Sequence, residues 1–408
     1  MSNFTIAHLY FMGCNMAYKV NHYIPQFVLR NFCNDNDNKI KVLDLINFNV
    51  EQRNVKKAFS KNNFYDLNED LSDDPKKLEK LFGEKIESKM GLIIKKVNES
   101  PESFELSRDE LEVIKKYITI QRYRNPSNQS YYNESFKGDK LSKYSIGDGE
   151  NETDFWKREM LFILENDWDT IIKQTEFVGV KMVTDQIYSE YITFFTTNEE
   201  FIISDLNCFT ERVNMDIPED KKQEYYEMSL KIREMYNMHD AAEGAQKEVN
   251  RDKQYFDNYT FVVVSPSLAI ASINPIWKHK YLHPEINDNW MIKRVFSPIL
   301  NNPKNISLPI TKYVNREKMK SDLDIGKYKD KNDSYTYRKI SLNIEETKHI
   351  MILCLNEARL YVGYRTSEHI KKYILAYNEV SNMKIDNIRN NFNGYISLID
   401  KLEKSIKK

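Results

Sequence analysis

Between residues 39 and 124 the spacing of apolar side chains changes from every second residue to every third or fourth. That change restricts the chain to folds that combine a sheet with helices. Ile40 and Val42, then Phe48 and Val50, alternate around a break at Ile46 and Asn47 and predict a β-hairpin over Lys39–Val55. Asn63–Tyr65 is expected to return to pair with or pack on it. From residue 74 to 98, Leu78, Leu81, Phe82, Ile86, Met90, Ile93 and Val97 form a helical stripe behind Pro75. A second helix begins at Ser107, whose capping box with Glu110 satisfies the end donors, and runs to about Arg124, before Pro126.

The later pattern keeps both periods. Residues 127–152, rich in Asn, Ser, Gly and Tyr, read as an exposed loop, and Asp154–Lys173 as a helix. Strands are predicted over Glu176–Val183, Tyr188–Thr196, Glu200–Ser204 and Thr260–Val264. Glu219–Met238 reads as a charged helix with a polar continuation to Tyr255. Asn343 with Glu346 caps a helix to about Asn356, and Arg359–Tyr364 follows as a short strand. Ser367–Lys408 reads as one or two helices broken near Asn393 and Gly394. The expected architecture is α+β: a main domain over residues 17–365, with helices packed on a mixed or antiparallel sheet, and a C-terminal helical appendage over 366–408.

Polar chemistry concentrates in Asn21–Cys33, N-H-Y-I-P-Q-F-V-L-R-N-F-C. If Pro25 opens a short helix, Gln26 and Arg30 share a face and His22 stands just before it. Arg supplies a planar fork of donors, Gln a donor and an acceptor, and His a proton near neutral pH. Such a face suits an anion or a polar substrate.

The string H-Y-I-P-Q-F-V-L-R-N-F resembles the opening signature of the bacterial family known as domain of unknown function 4238. Later stretches are similar to that family in the same order: Asn63–Tyr65, Ile86 with Glu87, Q-R-Y-R-N-P at 121–126, F-I-I-S-D at 201–205, V-S-P-S-L-A at 264–269 and N-E-A-R-L-Y-V at 356–362. The family usually continues from Ser-Asp into Asn-Pro, whereas this chain has Leu206 and Asn207 after Ser204 and Asp205. The resemblance places the signature close to Met16 and implies that residues 1–16 are an upstream extension. It singles out His22, Gln26, Arg30, Gln121, Arg124, Asp205, Asn356 and Arg359, and it implies a fold and a residue set rather than an activity.

Composition narrows the partners. Lys and Arg number 60 and Asp and Glu 61, so the net charge of −1 argues against a general nucleic-acid coat while allowing a local basic cleft. Cys14, Cys33, Cys208 and Cys354 are widely spaced with no C-x-x-C pair, the pattern of reduced thiols in a cytoplasmic protein. No apolar run is long enough to cross a bilayer, so no membrane partner is expected.

Two functions remain open. Three arginines with a His and an Asp suit a phosphate-bearing ligand such as a nucleic acid or a nucleotide. In that reading His22 and Asp205 are catalytic in a phosphodiester or nucleotide hydrolase, with a divalent cation as a candidate cofactor. Gln26, Arg30, Gln121, Arg124, Asn356 and Arg359 then bind substrate, and the whole is a nuclease-like effector of phage defence or a toxin system. Alternatively the same residues hold the fold together in a non-enzymatic binding or scaffolding module. The aliphatic and tyrosine stripe of the C-terminal helices offers a surface for a homo-oligomer.

Overall fold

The computed structural model describes residues 20–34, 37–136, 151–174, 177–235, 241–251, 254–283, 288–319, 329–382 and 392–406. The expected extension over 1–16, residues 137–150 of the expected loop and residues 383–391 of the tail lie outside them.

Strand β1 (Val20–His22) leads into helix α1 (Gln26–Arg30), with Pro25 flanking the helix rather than inside its first turn. The predicted hairpin is β2 (Lys39–Asp44) and β3 (Asn49–Asn54). Its turn is fastened by Asp44 Oδ1, which accepts from the amides of Ile46 and Asn47, both at 2.9 Å. Strand β4 (Ser60–Asn62) pairs with β1 and not with the hairpin, while Phe64 and Tyr65 go into the core. The stripe from 74 to 98 is α2 (Lys77–Leu81) and α3 (Ser88–Glu99) joined by a wider π turn over Phe82–Glu87.

After β5 (Ser103–Ser107), the capping box of Ser107 and Glu110 starts α4 (Arg108–Tyr123). The region expected to be a loop begins instead with α5 (Pro126–Ser135). Asn125 caps it and proline occupies its first turn. The buried Tyr132 ring packs between Tyr123, Phe136 and Phe155, which supplies the tertiary support a polar helix lacks alone. The helix expected over Asp154–Lys173 is two, α6 (Glu152–Glu165) and α7 (Trp168–Lys173). Asp167 breaks it by accepting from the Thr170 amide at 2.8 Å as a new cap. The strand expected over Glu176–Val183 is replaced by α8 (Val178–Ser189). Buried Val180, Thr184 and Ile187 are four and three apart, so helical burial overrides the β preference of the valines.

Strands β6 (Tyr191–Thr197), β7 (Ile203–Ser204) and β8 (Cys208–Met215) follow, then α9 (Lys222–Met235) and α10 (Ala241–Val249). The polar continuation expected to Tyr255 therefore ends at Val249, because β9 (Gln254–Ser265) has already begun. Strand β10 (Leu268–Ile273) returns antiparallel to it. Both strands are buried on both faces at their centre, so L-A-I-A-S-I shows no alternation from which a strand could be read. Helix α11 (Pro275–Leu282), β11 (Ile310–Lys312) and β12 (Ser334–Leu342) precede α12 (Ile344–Glu357), which carries the predicted Asn343–Glu346 capping box. Strand β13 (Tyr361–Tyr364) and helices α13 (Ser367–Asn382) and α14 (Phe392–Ile406) complete the chain, with Asn393 and Gly394 inside α14 rather than at a break.

The result is an α+β fold. Among the described residues the large sheet has the order β11-β12-β6-β10-β9-β8, with β5 also on β12, and it is antiparallel except where β12 runs parallel to β6. A four-stranded sheet, β3-β2-β13-β7, joins the two ends of the sequence. Gly363 is required there: a Cβ would stand 2.9 Å from both Ile203 and Ile40. Tyr373, Leu398 and Leu402 of the last two helices belong to the same apolar core as the sheets. No described helix is long and apolar enough to cross a membrane.

Candidate functional site

The signature forms a chain of hydrogen bonds. His22 lies at the end of β1, where its ring Nε2 meets the Val55 carbonyl at 3.0 Å. Nδ1 faces the Gln26 amide nitrogen at 3.3 Å, and Gln26 Oε1 accepts from Arg30 Nη2 at 3.0 Å. A carbonyl on one side and an amide N–H on the other fix the neutral tautomer with its proton on Nε2. Burial holds the His22 imidazole below its ordinary value, against the Val55 carbonyl, which favours the charged ring.

Arg124 ties this segment to the helices. Its side chain is 1% exposed; Nη1 pairs with Glu87 Oε1 at 2.7 Å and Nη2 donates to the His22 carbonyl. The guanidinium lies 4.2 Å from the centre of the Phe82 ring, and the Tyr65 hydroxyl donates to the Arg124 carbonyl at 2.5 Å. The π turn ends at Glu87 and brings that carboxylate to Arg124.

Asp205 occupies a second centre. It is fully buried, and Oδ1 accepts from the backbone amides of Arg359, Leu360 and Tyr361 at 2.9, 3.1 and 3.4 Å. The carboxylate thus caps the turn between α12 and β13. Burial pushes the Asp205 pKa above the ordinary carboxylate range, against the three amides that favour the charge. Rings link the two centres: Tyr23 meets Phe59, and Phe59 meets Tyr361, each edge-to-face. Asn356 is buried and accepts from the Tyr377 hydroxyl at 3.4 Å. The side chains of Arg30 and Arg359 are exposed.

The structure therefore joins His22, Gln26, Arg30 and Arg124 by contact, and Asp205 with the Arg359 backbone. Asp205 makes no ion pair with an arginine among the described residues. No described group of three His, Cys, Asp or Glu side chains is arranged to hold a metal ion.

A recess opens at the carboxyl end of α4. Exposed and about 220 Å³ in volume, it is lined by Arg122, Ser127, Tyr131, Leu206, Arg212 and Glu357, among others. Leu206, Cys208, Thr210 and Arg212 reach it as alternate residues leading into and along β8. Asn125, Ser127 and Asn128 bring the amino end of α5, a ten-residue helix whose dipole favours negative charge. Asn125 is committed to capping, with Oδ1 accepting from the Asn128 amide at 2.9 Å. Arg212 Nε pairs with Asp257 at 2.8 Å, and its side chain is about half exposed. Glu357, the last residue of α12, is half-buried and has no hydrogen-bond or ion-pair partner among the described residues.

Behind Arg122 is a buried acid. Arg122 Nη1 donates to Gln186 Oε1 at 3.3 Å, and Gln186 Nε2 donates to Glu190 Oε1 at 2.8 Å. Burial pushes Glu190 up to about 7 and brings the neighbouring Lys115, which donates to the Glu190 backbone carbonyl, down to about 8. Burial also pushes the Cys208 thiol up to about 12, so it stays protonated and is a poor nucleophile.

Sequence reasoning missed Arg122, Tyr131, Arg212, Glu357 and Glu190. Arg122 and the Asn125-Pro126 cap were within reach, since they sit inside the Q-R-Y-R-N-P stretch. Arg212 is one polar residue on a strand, and only the tertiary fold brings it there. Compared with known proteins, residues 21–291 match the family model described as protein of unknown function, DUF4238. No curated protein and no solved structure matches the chain.

Proposed function

Because the chain belongs to the DUF4238 family of proteins of unknown function, we propose from its geometry that it is a binding module for a phosphate-bearing ligand, taken in the recess beside α5. One observation carries the reading: the amino end of α5 meets the Arg122 and Arg212 guanidiniums at a single open recess. Arginine forks match phosphate oxygens, and the positive end of the α5 dipole favours them although proline and the Asn125 cap already occupy its first turn. In this account the signature is the frame. The chain from Val55 through His22 and Gln26 to Arg30, with the Arg124–Glu87 pair, fixes α4 and hence Arg122 and the start of α5.

A nuclease-like effector of phage defence or a toxin system is the more specific form of the hypothesis, and it assigns catalysis to His22 and Asp205. Their hydrogen bonds favour a structural assignment instead, because each bonded atom already serves the backbone or a neighbouring amide. Titration calorimetry with inorganic pyrophosphate tests the binding reading. Arg122→Ala and Arg212→Ala should each weaken binding about tenfold or more, the scale of one charge-assisted contact. Arg30→Ala should leave it within about twofold. Loss of binding in Arg30→Ala alone would return the site to the signature and defeat the reading.

A further inference from the structure

A separate recess, of about 330 Å³, opens where the π turn and α3 face the first half of α4 and the junction of α6 with α7. Val113, Leu164 and Trp168 give it an apolar wall. Three lysines reach it: Lys85 on the π turn, Lys89 four residues on in α3, and Lys116 in the middle of α4. Lys85 and Lys89 are exposed, and neither makes a hydrogen bond or an ion pair among the described residues. Lys116 is half-buried, and its ammonium donates to the Asn166 carbonyl at the end of α6. A second bond, from the Trp168 indole to the Glu112 carbonyl at 3.1 Å, fastens the same junction to α4 one turn earlier.

Burial brings the Lys116 amine down to about 8. Asp167 and Glu112 oppose the fall, while the like charges of Lys85 and Lys89 add to it, so the three ammonium groups stand close enough to repel one another. Asp109 and Glu165 complete the charged lining. Glu165 is engaged with Lys77 at 2.5 Å, and Asp167 is engaged as the cap of α7. An amine set in an apolar wall beside other cations gives up its proton readily and becomes a nucleophile toward carbonyl carbon. The two lysines that pair with no described acid offer point charges to an anionic substituent of the same molecule. Lys115 is the contrast: its amine is also brought down to about 8, but it is buried against the Glu190 backbone and does not line this recess.

We propose that Lys116 captures an aldehyde or ketone that carries an anionic group, with Lys85 and Lys89 holding the anion and the wall of Val113, Leu164 and Trp168 holding the carbon skeleton. The unprotonated Nζ forms a bond to the carbonyl carbon, and the carbonyl oxygen takes up a proton. The carbinolamine then loses that oxygen as water and becomes an imine, a C=N bond in place of C=O. Both protons of the neutral amine leave with the oxygen, so the step consumes neither oxidant nor reductant. This recess is distinct from the one beside α5, and the inference stands independently of the phosphate reading.

The full chain is treated at pH 7.5 with pyridoxal 5′-phosphate, an aldehyde that bears a phosphate. Borohydride then reduces any imine to a stable secondary amine, and the labelled peptides are mapped by mass spectrometry. Lys116 should be labelled at least about tenfold faster than any exposed lysine, because at this pH its amine is unprotonated far more often than an ordinary one. Lys115 should stay unlabelled. Excess inorganic phosphate, compared with chloride at equal ionic strength, should slow the labelling of Lys116 by about fivefold or more and leave the exposed lysines unchanged. In a chain carrying both Lys85→Ala and Lys89→Ala, phosphate should no longer slow it. Labelling spread evenly over the exposed lysines, or a Lys116 rate indifferent to phosphate in the parent, would overturn the proposal. Lys116→Arg keeps the charge and should remove the fast label while melting like the parent. If that variant melts early, the peptide map of the parent still decides, since it needs no substitution.

Discussion

Replacing Arg124 by methionine tests the frame directly. The substitution keeps a long, flexible, apolar side chain against Phe82 and Tyr65 and removes only the guanidinium. Two polar interactions disappear, the ion pair with Glu87 and the donation to the His22 carbonyl, together with the guanidinium's weaker contacts on the Phe82 and Tyr65 rings. Breaking a buried ion pair costs about 3–5 kcal/mol, but the Glu87 side chain is 26% exposed and rehydrates, so roughly 2–3 kcal/mol is the better figure. The stranded His22 carbonyl adds about 1–2 kcal/mol. The total is roughly 3–5 kcal/mol. An unfolding entropy of about 2.1 cal/mol/K per residue over 408 residues converts this to a fall in Tm of roughly 4–6 °C. Differential scanning calorimetry of Arg124→Met beside Arg30→Met reads the contrast, since the Arg30 side chain is exposed and among the described residues bonds only Gln26. Arg30→Met should melt within about 1 °C of the parent. If Arg124→Met also melts within 1 °C, the network is not the frame.

Two further perturbations probe buried chemistry. Glu190 has a folded-state value of about 7 against an ordinary 4.5, so its favourable contribution is present below about 4.5 and is lost as pH rises through 7; the gap corresponds to roughly 3 kcal/mol. Glu190→Gln carries no charge at any pH, and urea denaturation should find it about equal to the parent at pH 4 and about 1–3 kcal/mol more stable at pH 8. A parent that gains stability over the variant as pH rises would show the wrong sign. Gly363→Ala should cost about 1–2 kcal/mol by chemical denaturation, because its methyl group meets Ile40 and Ile203, both fully buried, at 2.9 Å. No loss would mean that the four-stranded sheet has slack at its centre.

Much of the fold was legible where local signals agree with burial. The hairpin over residues 39–54, the capping boxes at Ser107 and Asn343, and the stripe from 78 to 97 all combine a period with a start or stop residue. The failures have a common cause. Val178–Ser189 carries β-branched residues on a helix, and Leu268–Ile273 is a strand buried on both faces, so tertiary context overrode propensity in one and erased alternation in the other. At the site, the signature residues were found, and the bond from Gln26 to Arg30 follows their helical spacing. The recess was not found, because Arg122, Arg212 and Glu357 meet only after α4, β8 and α12 have packed.

Hydrogen–deuterium exchange, measured with and without saturating inorganic pyrophosphate, tests the central claim that the ligand binds beside α5 while the signature only supports it. New protection is expected at residues 125–131 and 206–212, with residues 22–30 unchanged. Protection centred on residues 22–30, or on no segment at all, would contradict it.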